Sequence, residues 1–502
     1  MPPQHSARLG KWARTAVVLL LVVPIGGGCK TARQVAAQYP SSDIETIYAK
    51  ALPNAQRNPV VLVHGFAGAT MRRAEDGATV WGTLFTKDSL LPSKQEGLRA
   101  FALDIDGLQP PLDPNQLAFI EDDTQAVELL ETVKADAGVM DVNIGIYAAL
   151  VRLIEEAGYG YCQGDPAAIE TLETPPCLTF FYDWRQDNVG NAIRLGRFLD
   201  KARERIAEIA TSKGTGGNQE VRFDLVAHSM GGLVARYFLR YGAEDVLAAP
   251  RPTVTWAGAE YLDRLIVIST PNFGAMRVLK EMVVGRRYPL IKFEPVMNTT
   301  WVSAYQMLPR NEQKIWVDAA GAAVEIDVLS AQTWVENSWG PFASGQDKYL
   351  AWIFPDEPSA RAREERMSEF MDAAFARARR FFLAMDQHAD RACPTELTLF
   401  AADVQPTMAR AVVAEKDGKK VLGFENTKRL ILKAPGDGSV TRASAVADER
   451  LLGGGSGFVT SPIPWNRKVF LTDMHRTVLG NPTFQNNLLH ILLETPAPSV
   501  SR

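Results

Sequence analysis

Ser229 has the surroundings that a nucleophilic serine requires. An apolar segment at residues 223–226 precedes it, and residues 233–239 after it have the apolar spacing of a helix. Small residues, Ala227 and Gly231, stand two positions before and two positions after it. This is the pattern of a nucleophile elbow, a sharp strand-to-helix turn in which larger neighbours would collide. It predicts an acyl-transfer nucleophile at Ser229, although an ordinary Ser-Met-Gly-Gly turn would give the same short motif.

A serine nucleophile needs a base that accepts its hydroxyl proton, and His475 is best placed for this role. It follows the strand-like segment 468–471 and precedes the last helical segment. The other histidines lie near the N-terminus, at a strand end, in the elbow and in helical segments: His5, His64, His228, His388 and His490. We therefore predict that His475 is the base; the alternative is a histidine on a surface loop.

Two aspartates could orient this base, because each follows a strand-like segment and lies between the predicted nucleophile and base in the chain. Asp437 belongs to a Gly-Asp-Gly-Ser-Val motif at residues 436–440, and Asp403 follows residues 397–402. The two glycines beside Asp437 allow a tight turn that presents the carboxylate inward, although a plain Asp-Gly turn has the same sequence. Asp437 is the predicted acid and Asp403 is the alternative.

Two backbone amides are predicted to stabilise the oxyanion of a tetrahedral intermediate. One is the amide of Met230, the residue after the predicted nucleophile. The other is the amide of Phe66, in the loop after the buried strand that the apolar run at residues 59–64 predicts. Gly65 and Gly68 would let the backbone of this loop approach a substrate closely.

These candidates require a sheet that brings their strand ends together. Apolar runs of strand length alternate with segments of helical spacing, which is typical of βαβ units and a mostly parallel sheet. The predicted strands cover residues 59–64, 178–182, 221–228, 264–268, 396–400, 429–432 and 468–471, with a hairpin near 416–420. The predicted helices cover residues 123–135, 143–157, 191–210, 233–239, 360–388 and 482–493. The predicted fold class is therefore α/β, with a mostly parallel central sheet flanked by helices.

Several of these segments resemble landmarks of the lecithin:cholesterol acyltransferase family, in its bacterial members and their lipase relatives. They occur in the family's order and comprise residues 59–68, the Tyr-Asp-Trp-Arg motif at 182–185, and residues 227–231, 270–274, 303–309 and 436–440. The resemblance spans residues 59–493. It implies an α/β-hydrolase fold with large cap insertions. It also implies acyl transfer from a lipid ester through an acyl-serine, with Ser229, Asp437 and His475 as nucleophile, acid and base.

Two positions depart from the family pattern. Ala227 replaces the usual glycine before the nucleophile, and its methyl group is small enough to be tolerated there. His64 stands where the acyltransferases commonly have proline, and a His-Gly pair is commoner among the lipases. The second departure favours hydrolysis over transfer.

The chain of 502 residues is long enough for an α/β enzyme with insertions. The predicted organisation is a signal peptide (1–29), a tether (30–58), a first part of the core (59–274) with an insertion at about 70–140, a cap (275–390) and a second part of the core (391–495). Five of the ten tryptophans lie between Trp301 and Trp352. They are expected either to form the core of the cap, or to line an acyl pocket or touch a lipid surface.

The N-terminus has the pattern of an export signal. Basic residues precede an apolar run at residues 16–25, and glycines lead from this run to Cys29. The run is shorter than the about 20 residues of a membrane span. Cys29 resembles the lipidation site of a bacterial lipoprotein, except for the glycine three positions before it; ordinary cleavage nearby is the alternative. The predicted location is therefore the bacterial cell envelope, as a periplasmic protein or an anchored lipoprotein, or the exterior.

Export permits disulfides, and Cys162 and Cys177 are close enough in sequence to be bridged, which leaves Cys393 over. No cysteine–histidine spacing is typical of a metal site, so no metal or other cofactor is predicted.

The formal net charge is −4 and no long basic run occurs, which argues against nucleic acid as a partner. The expected partners are a lipid ester substrate and a membrane surface or lipid interface; the sequence identifies no protein partner.

The leading prediction is an exported serine lipase or esterase that hydrolyses acylglycerol or phospholipid esters. An acyltransferase is the alternative, because a lipid or sterol alcohol could replace water in releasing the same acyl-serine. A catalytically silent lipid-binding envelope protein is a second alternative. The order of Ser229, Asp437 and His475 in the chain argues against this last reading.

Overall fold

Seven parallel strands form the central sheet. The computed structural model describes residues 47, 50–84, 90–136, 141–145, 147–214, 220–287, 292–310, 315–426, 431–447 and 461–496. The strands are β1 (Val60–Val63), β2 (Cys162–Gln163), β3 (Cys177–Phe180), β4 (Phe223–His228), β5 (Leu262–Ile268), β6 (Glu396–Ala402) and β7 (Arg467–Leu471). Their order in the sheet is β7-β6-β5-β4-β1-β3-β2, and every neighbouring pair is parallel. The predicted α/β class with a mostly parallel sheet is confirmed.

Helices cover both faces of this sheet. The α-helices of the described residues are α1 (Gln95–Phe101), α2 (Ala148–Glu156), α3 (Asn188–Ser212), α4 (Met230–Tyr241), α5 (Met276–Val284), α6 (Pro295–Asn298), α7 (Val302–Tyr305), α8 (Ala331–Glu336), α9 (Asp347–Ile353), α10 (Ala360–Asp386), α11 (Arg442–Val446) and α12 (Pro482–Leu489). Val61 and Val63 of β1 belong to the apolar cluster of α3 and α4, whereas Val60 and Leu62 belong to that of α2 and α12. Because both of its faces are buried, β1 is a continuous apolar run in the sequence.

The insertion after β1 is built from short strands, and the prediction of a helix over residues 123–135 is wrong. One small sheet contains Ala69–Arg73, Thr79–Trp81 and Thr124–Leu129, and another contains Thr83–Leu84, Thr132–Asp136 and Asp141–Gly145. Thr124–Leu129 pairs antiparallel with Ala69–Arg73, so the backbone pairs between strands rather than within a helix. Pairing with a neighbouring strand overrides the local helical spacing, and the β-branched residues of this segment suit a sheet.

Other predicted elements differ from the structure mainly at their ends. The helix expected over residues 143–157 begins at Ala148, because residues 141–145 form a strand. The expected hairpin near residues 416–420 is confirmed by antiparallel pairing of Ala411–Lys416 with Lys419–Gly423. The strand expected over residues 429–432 falls partly outside the described residues, and the strand that leads to the predicted acid is Lys433–Gly436, which pairs with Gln405–Met408. After α12 the chain continues as a π-helical turn, His490–Glu494.

Aromatic side chains pack together in the segment between β5 and β6. Trp334 is fully buried. Its ring centroid lies 6.1 Å from that of Trp339 and 6.0 Å from that of Phe375, which belongs to α10. Trp316 is buried as well. All three of these tryptophans are buried, as the core interpretation predicted, but they belong to the same apolar cluster as α3 and α4 rather than to a separate core. Trp301 differs, because it packs beside the loop that follows β1.

Cys162 and Cys177 form a disulfide that joins β2 to β3 at the edge of the sheet, and Cys393 is a free, half-buried thiol. The bridge that the sequence allowed is therefore present. Among the described residues, no helix combines the length and the apolar character of a membrane span. The expected signal peptide, the tether up to residue 46 and Cys29 lie outside the described residues.

Candidate active site

Ser229 occupies a sharp turn between β4 and α4. Its backbone has φ 56° and ψ −127°, a region that non-glycine residues rarely adopt. The turn is held by two hydrogen bonds: the Ser229 amide donates to the Ile268 carbonyl oxygen at 2.7 Å, and the Thr270 hydroxyl donates to the Ser229 carbonyl oxygen at 2.7 Å. Strain that the surroundings maintain in this way is typical of functional sites. The predicted strand–turn–helix at Ser229 is present.

The small residues around this turn are required by space. A Cβ atom on Gly231 would lie 2.3 Å from the carbonyl oxygen of His64, and one on Gly232 would lie 2.0 Å from Oγ1 of Thr270. Ala227 is fully buried in β4, whose regular pairing with β1 and β5 is kept there. The methyl group at this position is therefore accommodated.

His475 lies beside Ser229, although 246 residues separate them in the chain. It follows β7, as expected. Its Nε2 atom is 2.9 Å from Oγ of Ser229, and its Nδ1 atom is 2.7 Å from Oδ2 of Asp437. The structure thus brings the three predicted catalytic residues into one hydrogen-bonded chain. Such an arrangement can transfer the serine proton to the imidazole.

Asp437 is buried and fixed by its own turn. Its Oδ1 atom accepts hydrogen bonds from the amides of Ser439 at 2.8 Å and Val440 at 2.7 Å. Burial alone would raise the pKa of Asp437, but the adjacent His475 and these two amides hold the pKa below its usual value. The side chain therefore remains a carboxylate and can support a positively charged imidazolium.

Asp403, the alternative acid, occupies a different position. Its carboxylate lies 3.7 Å from the guanidinium of Arg442 in a partly exposed ion pair. The turn at residues 436–440, rather than the end of β6, presents a carboxylate to His475. The geometry therefore favours Asp437.

The amides of Met230 and Phe66 remain the predicted oxyanion donors. Met230 is the first residue of α4, where amide hydrogens have no partner within the helix and the helix dipole favours negative charge. Phe66 lies in the loop 64–68, which we call the oxyanion loop. Neither amide donates a hydrogen bond to another residue in the described part of the chain. The loop touches the nucleophile, since a Cβ atom on Gly65 would lie 2.6 Å from Cβ of Ser229.

Aromatic rings cover the oxyanion loop. The ring centroid of Phe66 is 4.5 Å from that of Trp184 and 5.4 Å from that of Trp301, and the two tryptophan rings are 5.2 Å apart. Trp184 belongs to the Tyr-Asp-Trp-Arg motif and Trp301 to the segment between β5 and β6. Trp301 is thus a tryptophan of that segment that packs against the oxyanion loop. Together the three rings form an apolar wall beside the site.

His64, the first residue of the oxyanion loop, is held by contacts with Tyr182 and Gly65. Its ring stacks on Tyr182 with centroids 4.1 Å apart, and its Nε2 atom accepts the Tyr182 amide at 3.1 Å. Its Nδ1 atom then carries the proton and donates to the Gly65 carbonyl oxygen at 2.7 Å. Burial lowers the pKa of His64 to about 4, so the ring is neutral near pH 7.

Sequence reasoning missed two residues of the site, Tyr147 and His228. The hydroxyl of Tyr147 is 2.7 Å from the Gly65 amide nitrogen and 3.0 Å from Nδ1 of His228. The sequence marks His228 only as a member of the elbow, and Tyr147 stands just before α2 with no local motif around it. Within the described residues, no group of three or more His, Cys, Asp or Glu side chains could hold a metal ion.

Comparisons with known proteins agree with this fold. Residues 125–370 match the family model described as "Lecithin:cholesterol acyltransferase", and no curated protein sequence matches the chain. The crystal structure of the Tle4-Tli4 complex is similar with a TM-score of 0.50 and 15% identity, over 86% of this chain and 97% of that chain. At this identity the similarity concerns the fold alone.

Two further structures align at lower scores. The mature Bacillus licheniformis lipase BlEst2 has a TM-score of 0.26 and 11% identity, over 87% of this chain and 90% of that chain. EstA from Clostridium botulinum has a TM-score of 0.26 and 14% identity, over 91% and 99%.

The family match includes Ser229, whereas Asp437 and His475 lie beyond its C-terminal end. The fold is that of an α/β-hydrolase with insertions. The match supports an enzyme of the lipid-ester hydrolase and acyltransferase class. Residues 125–370 are thus similar to the lecithin:cholesterol acyltransferase family, as the motifs in the sequence predicted.

Proposed function

We propose that this protein is a serine hydrolase that cleaves acylglycerol or phospholipid esters through an acyl-serine intermediate. The observation that carries the proposal is the hydrogen-bonded chain from Ser229 through His475 to Asp437, with distances of 2.9 and 2.7 Å. A strained serine, a base within reach of its hydroxyl and a buried carboxylate behind that base are the parts that acyl transfer requires.

In the first half of the reaction, Oγ of Ser229 attacks the ester carbonyl carbon while Nε2 of His475 accepts the hydroxyl proton. The amides of Phe66 and Met230 stabilise the oxyanion that forms. When the carbon–oxygen bond to the leaving alcohol breaks, His475 returns the proton to the alcohol oxygen. Asp437 supports the imidazolium between these two transfers.

In the second half, water attacks the acyl-serine and gives a proton to Nε2 of His475. The tetrahedral intermediate then collapses, the fatty acid leaves, and the proton passes from His475 to Oγ of Ser229. The enzyme is thereby restored. No step requires a metal ion or an organic cofactor.

Two observations support a lipid ester as the substrate. Residues 125–370 match a family described by a lipid acyltransferase. In addition, Phe66, Trp184 and Trp301 place an apolar wall beside the oxyanion loop, which suits an acyl chain better than a polar acyl group.

Acyl transfer to an alcohol is the second candidate, because the matched family is described as an acyltransferase. Hydrolysis and transfer share the acyl-serine and differ only in what attacks it. A phospholipid labelled in both the acyl chain and the head group, offered with an excess of a lipid or sterol alcohol, distinguishes them. Acyl label found only in free fatty acid supports hydrolysis, and label found in a new ester supports transfer.

The decisive test of the enzyme proposal is labelling by a fluorophosphonate probe. The wild-type protein is expected to be labelled at Ser229, and the Ser229→Ala and His475→Ala variants to lose labelling while they remain folded. A folded wild-type protein that takes up no probe would favour the catalytically silent lipid-binding alternative. A panel of acylglycerol and phospholipid esters then identifies the substrate class.

Export to the cell envelope is part of the proposal. The Cys162–Cys177 disulfide supports it, because such bridges persist mainly in oxidising compartments. Mass spectrometry of the N-terminal peptide of the native protein tests it. A diacylglyceryl group on Cys29 supports a lipoprotein, a free N-terminus after cleavage supports a periplasmic or secreted protein, and an intact Met1 contradicts export.

A further inference from the structure

Three hydrogen bonds connect the oxyanion loop to the main chain of His475. The Gly65 amide nitrogen lies 2.7 Å from the hydroxyl oxygen of Tyr147, which lies 3.0 Å from Nδ1 of His228. On the other side of the same ring, Nε2 of His228 lies 3.1 Å from the carbonyl oxygen of His475. Both Tyr147 and His228 are buried, and His228 directly precedes Ser229.

Each of these hydrogen bonds has a defined direction. The carbonyl oxygen of His475 can only accept, so Nε2 of His228 carries a proton and donates it. In the neutral ring Nδ1 is then an acceptor, and it receives the hydroxyl proton of Tyr147. The hydroxyl oxygen of Tyr147 accepts the Gly65 amide. All three bonds are therefore satisfied only while His228 is neutral.

The surroundings keep His228 neutral. Burial lowers the pKa of His228 to about 3, and the nearby imidazole of His475 lowers it as well. The two rings are 5.0 Å apart between centroids. A neutral His228 does not repel the imidazolium that forms when His475 accepts the serine proton.

Both ends of the connection are groups whose position decides the chemistry. At one end, Gly65 packs against Ser229 and directly precedes Phe66, the predicted oxyanion donor. At the other end, the main chain of His475 is held on both sides, because its amide donates to the Asp437 carbonyl oxygen at 2.9 Å while its carbonyl accepts from His228.

We infer that Tyr147 and His228 are positioning residues that hold the oxyanion loop and the base in a fixed relation to Ser229. The inference rests on the proposed acyl-serine mechanism and deepens it. Neither residue needs to touch the substrate. Since correct geometry matters most in the transition state, the loss of this connection should lower kcat and leave KM nearly unchanged.

The Tyr147→Phe variant removes one hydroxyl and keeps the ring. Its kcat for a soluble p-nitrophenyl ester is expected to fall by about 10- to 100-fold, with KM within about twofold of the wild-type value. The inhibition constant of an alkyl boronic acid should rise in parallel, because the tetrahedral adduct places an oxygen in the oxyanion site.

Tyr159→Phe is the matched control. The Tyr159 ring lies in the same buried apolar cluster as that of Tyr147, and its hydroxyl donates to the Leu492 carbonyl oxygen at 3.5 Å, away from Ser229. A purely structural role would lower the melting temperature of both variants and leave kcat unchanged in both. Loss of kcat in Tyr147→Phe alone supports the inference.

The variants His228→Gln and His228→Ala provide a second measurement. They test the inferred positioning role even if Tyr147→Phe does not fold. The glutamine amide can still donate to His475, so kcat should decrease in the order wild type, His228→Gln, His228→Ala. A folded Tyr147→Phe or His228→Ala variant with kcat within about twofold of wild type would overturn the inference. A wild-type protein without esterase activity or probe labelling would overturn the proposed function instead, so the two failures are distinguishable.

Discussion

Asp437 holds His475 at two points. Oδ2 of the carboxylate lies 2.7 Å from Nδ1 of the imidazole, and the carbonyl oxygen of Asp437 accepts the His475 amide at 2.9 Å. The first contact selects the tautomer with a proton on Nδ1, and the second fixes the main chain from which the ring projects. Together they leave Nε2 free to face Oγ of Ser229.

Asp437→Asn should therefore abolish most activity without disturbing the fold. Oδ1 of the asparagine can still accept the amides of Ser439 and Val440, but its NH2 group faces Nδ1 of His475. The imidazole must then carry its proton on Nε2 and cannot accept the serine proton. We expect kcat to fall on the order of 10⁴-fold. Steady-state kinetics on an ester substrate measures the loss of activity, and a melting curve shows whether the fold is undisturbed.

Asp403→Asn is the control for this change. Asp403 was the alternative acid in the sequence, and its partner is Arg442 in a partly exposed ion pair. Because such pairs contribute little to stability, its activity and melting temperature should match the wild type. If Asp403→Asn were the inactive variant and Asp437→Asn the active one, the assignment of the acid would be reversed.

Gly65→Ala tests the contact between the oxyanion loop and the nucleophile. The added methyl carbon would lie 2.6 Å from Cβ of Ser229 and 3.0 Å from the His228 carbonyl oxygen, so the loop must move. A displacement of this kind should lower the rate of fluorophosphonate labelling by about 100-fold. In Gly480→Ala, where no atom lies within 4 Å of the added carbon, labelling should be normal. Equal labelling rates would show that the loop position does not limit the reaction.

The triad positions could be predicted because local backbone requirements mark them. A strained serine needs small residues around it, and the turn that presents Asp437 needs glycines: a Cβ atom on Gly436 would lie 2.3 Å from the Val440 carbonyl oxygen, and Gly438 has φ +88°. Such requirements can be read from a short stretch of the sequence, without knowledge of the rest of the fold. The parallel sheet could be predicted for a similar reason, since buried strands are continuous apolar runs.

Tyr147 could not be predicted, because its role depends on contacts across the fold. It is 82 residues from Gly65 and 81 residues from His228 in the chain. No periodicity or motif distinguishes it from other tyrosines near helix starts. The wrong helix over residues 123–135 has a related cause, since strand pairing with Ala69–Arg73 is also non-local.

The structural role of the Tyr-Asp-Trp-Arg motif could not be predicted from the sequence either. The sequence identified it only by resemblance. In the structure, the buried guanidinium of Arg185 donates to the carbonyl oxygens of Ala100 and Ala102 and pairs with Asp122 and Asp183. The motif thus ties the insertion after β1 to the end of β3, which only the folded chain reveals.

Acid should destabilise the protein through His64. Its pKa is lowered by burial to about 4, below the ordinary value of 6.5. The unfolded chain therefore binds a proton more readily than the folded one, and the stability contributed above pH 6.5 is lost as the pH falls toward 4. At 1.36 kcal/mol per pKa unit, the loss over this window is about 3 kcal/mol. Urea unfolding at pH 7, 5.5 and 4 measures it.

His64→Gln should reduce this pH dependence, because glutamine cannot bind the proton. His388→Gln, which replaces an exposed histidine, is the matched control. The difference in unfolding free energy between wild type and His64→Gln is expected to shrink as the pH falls. The same pH dependence in His64→Gln and His388→Gln would contradict the proposed contribution of His64.

The Cys162–Cys177 disulfide should stabilise the edge of the sheet without affecting the chemistry. The bridge closes a loop with a sequence separation of 15 residues and joins β2 to β3, far along the sheet from β7 and His475. Its removal in a Cys162→Ser/Cys177→Ser variant should lower the unfolding free energy by about 3 kcal/mol, because the unfolded chain gains freedom. Cys393→Ser, which replaces the free thiol, is the control. Treatment of the wild-type protein with dithiothreitol should lower its unfolding free energy by the same amount as the double substitution. At a temperature where all variants are folded, kcat should be unchanged; a large loss of kcat there would show that the edge strands position the site.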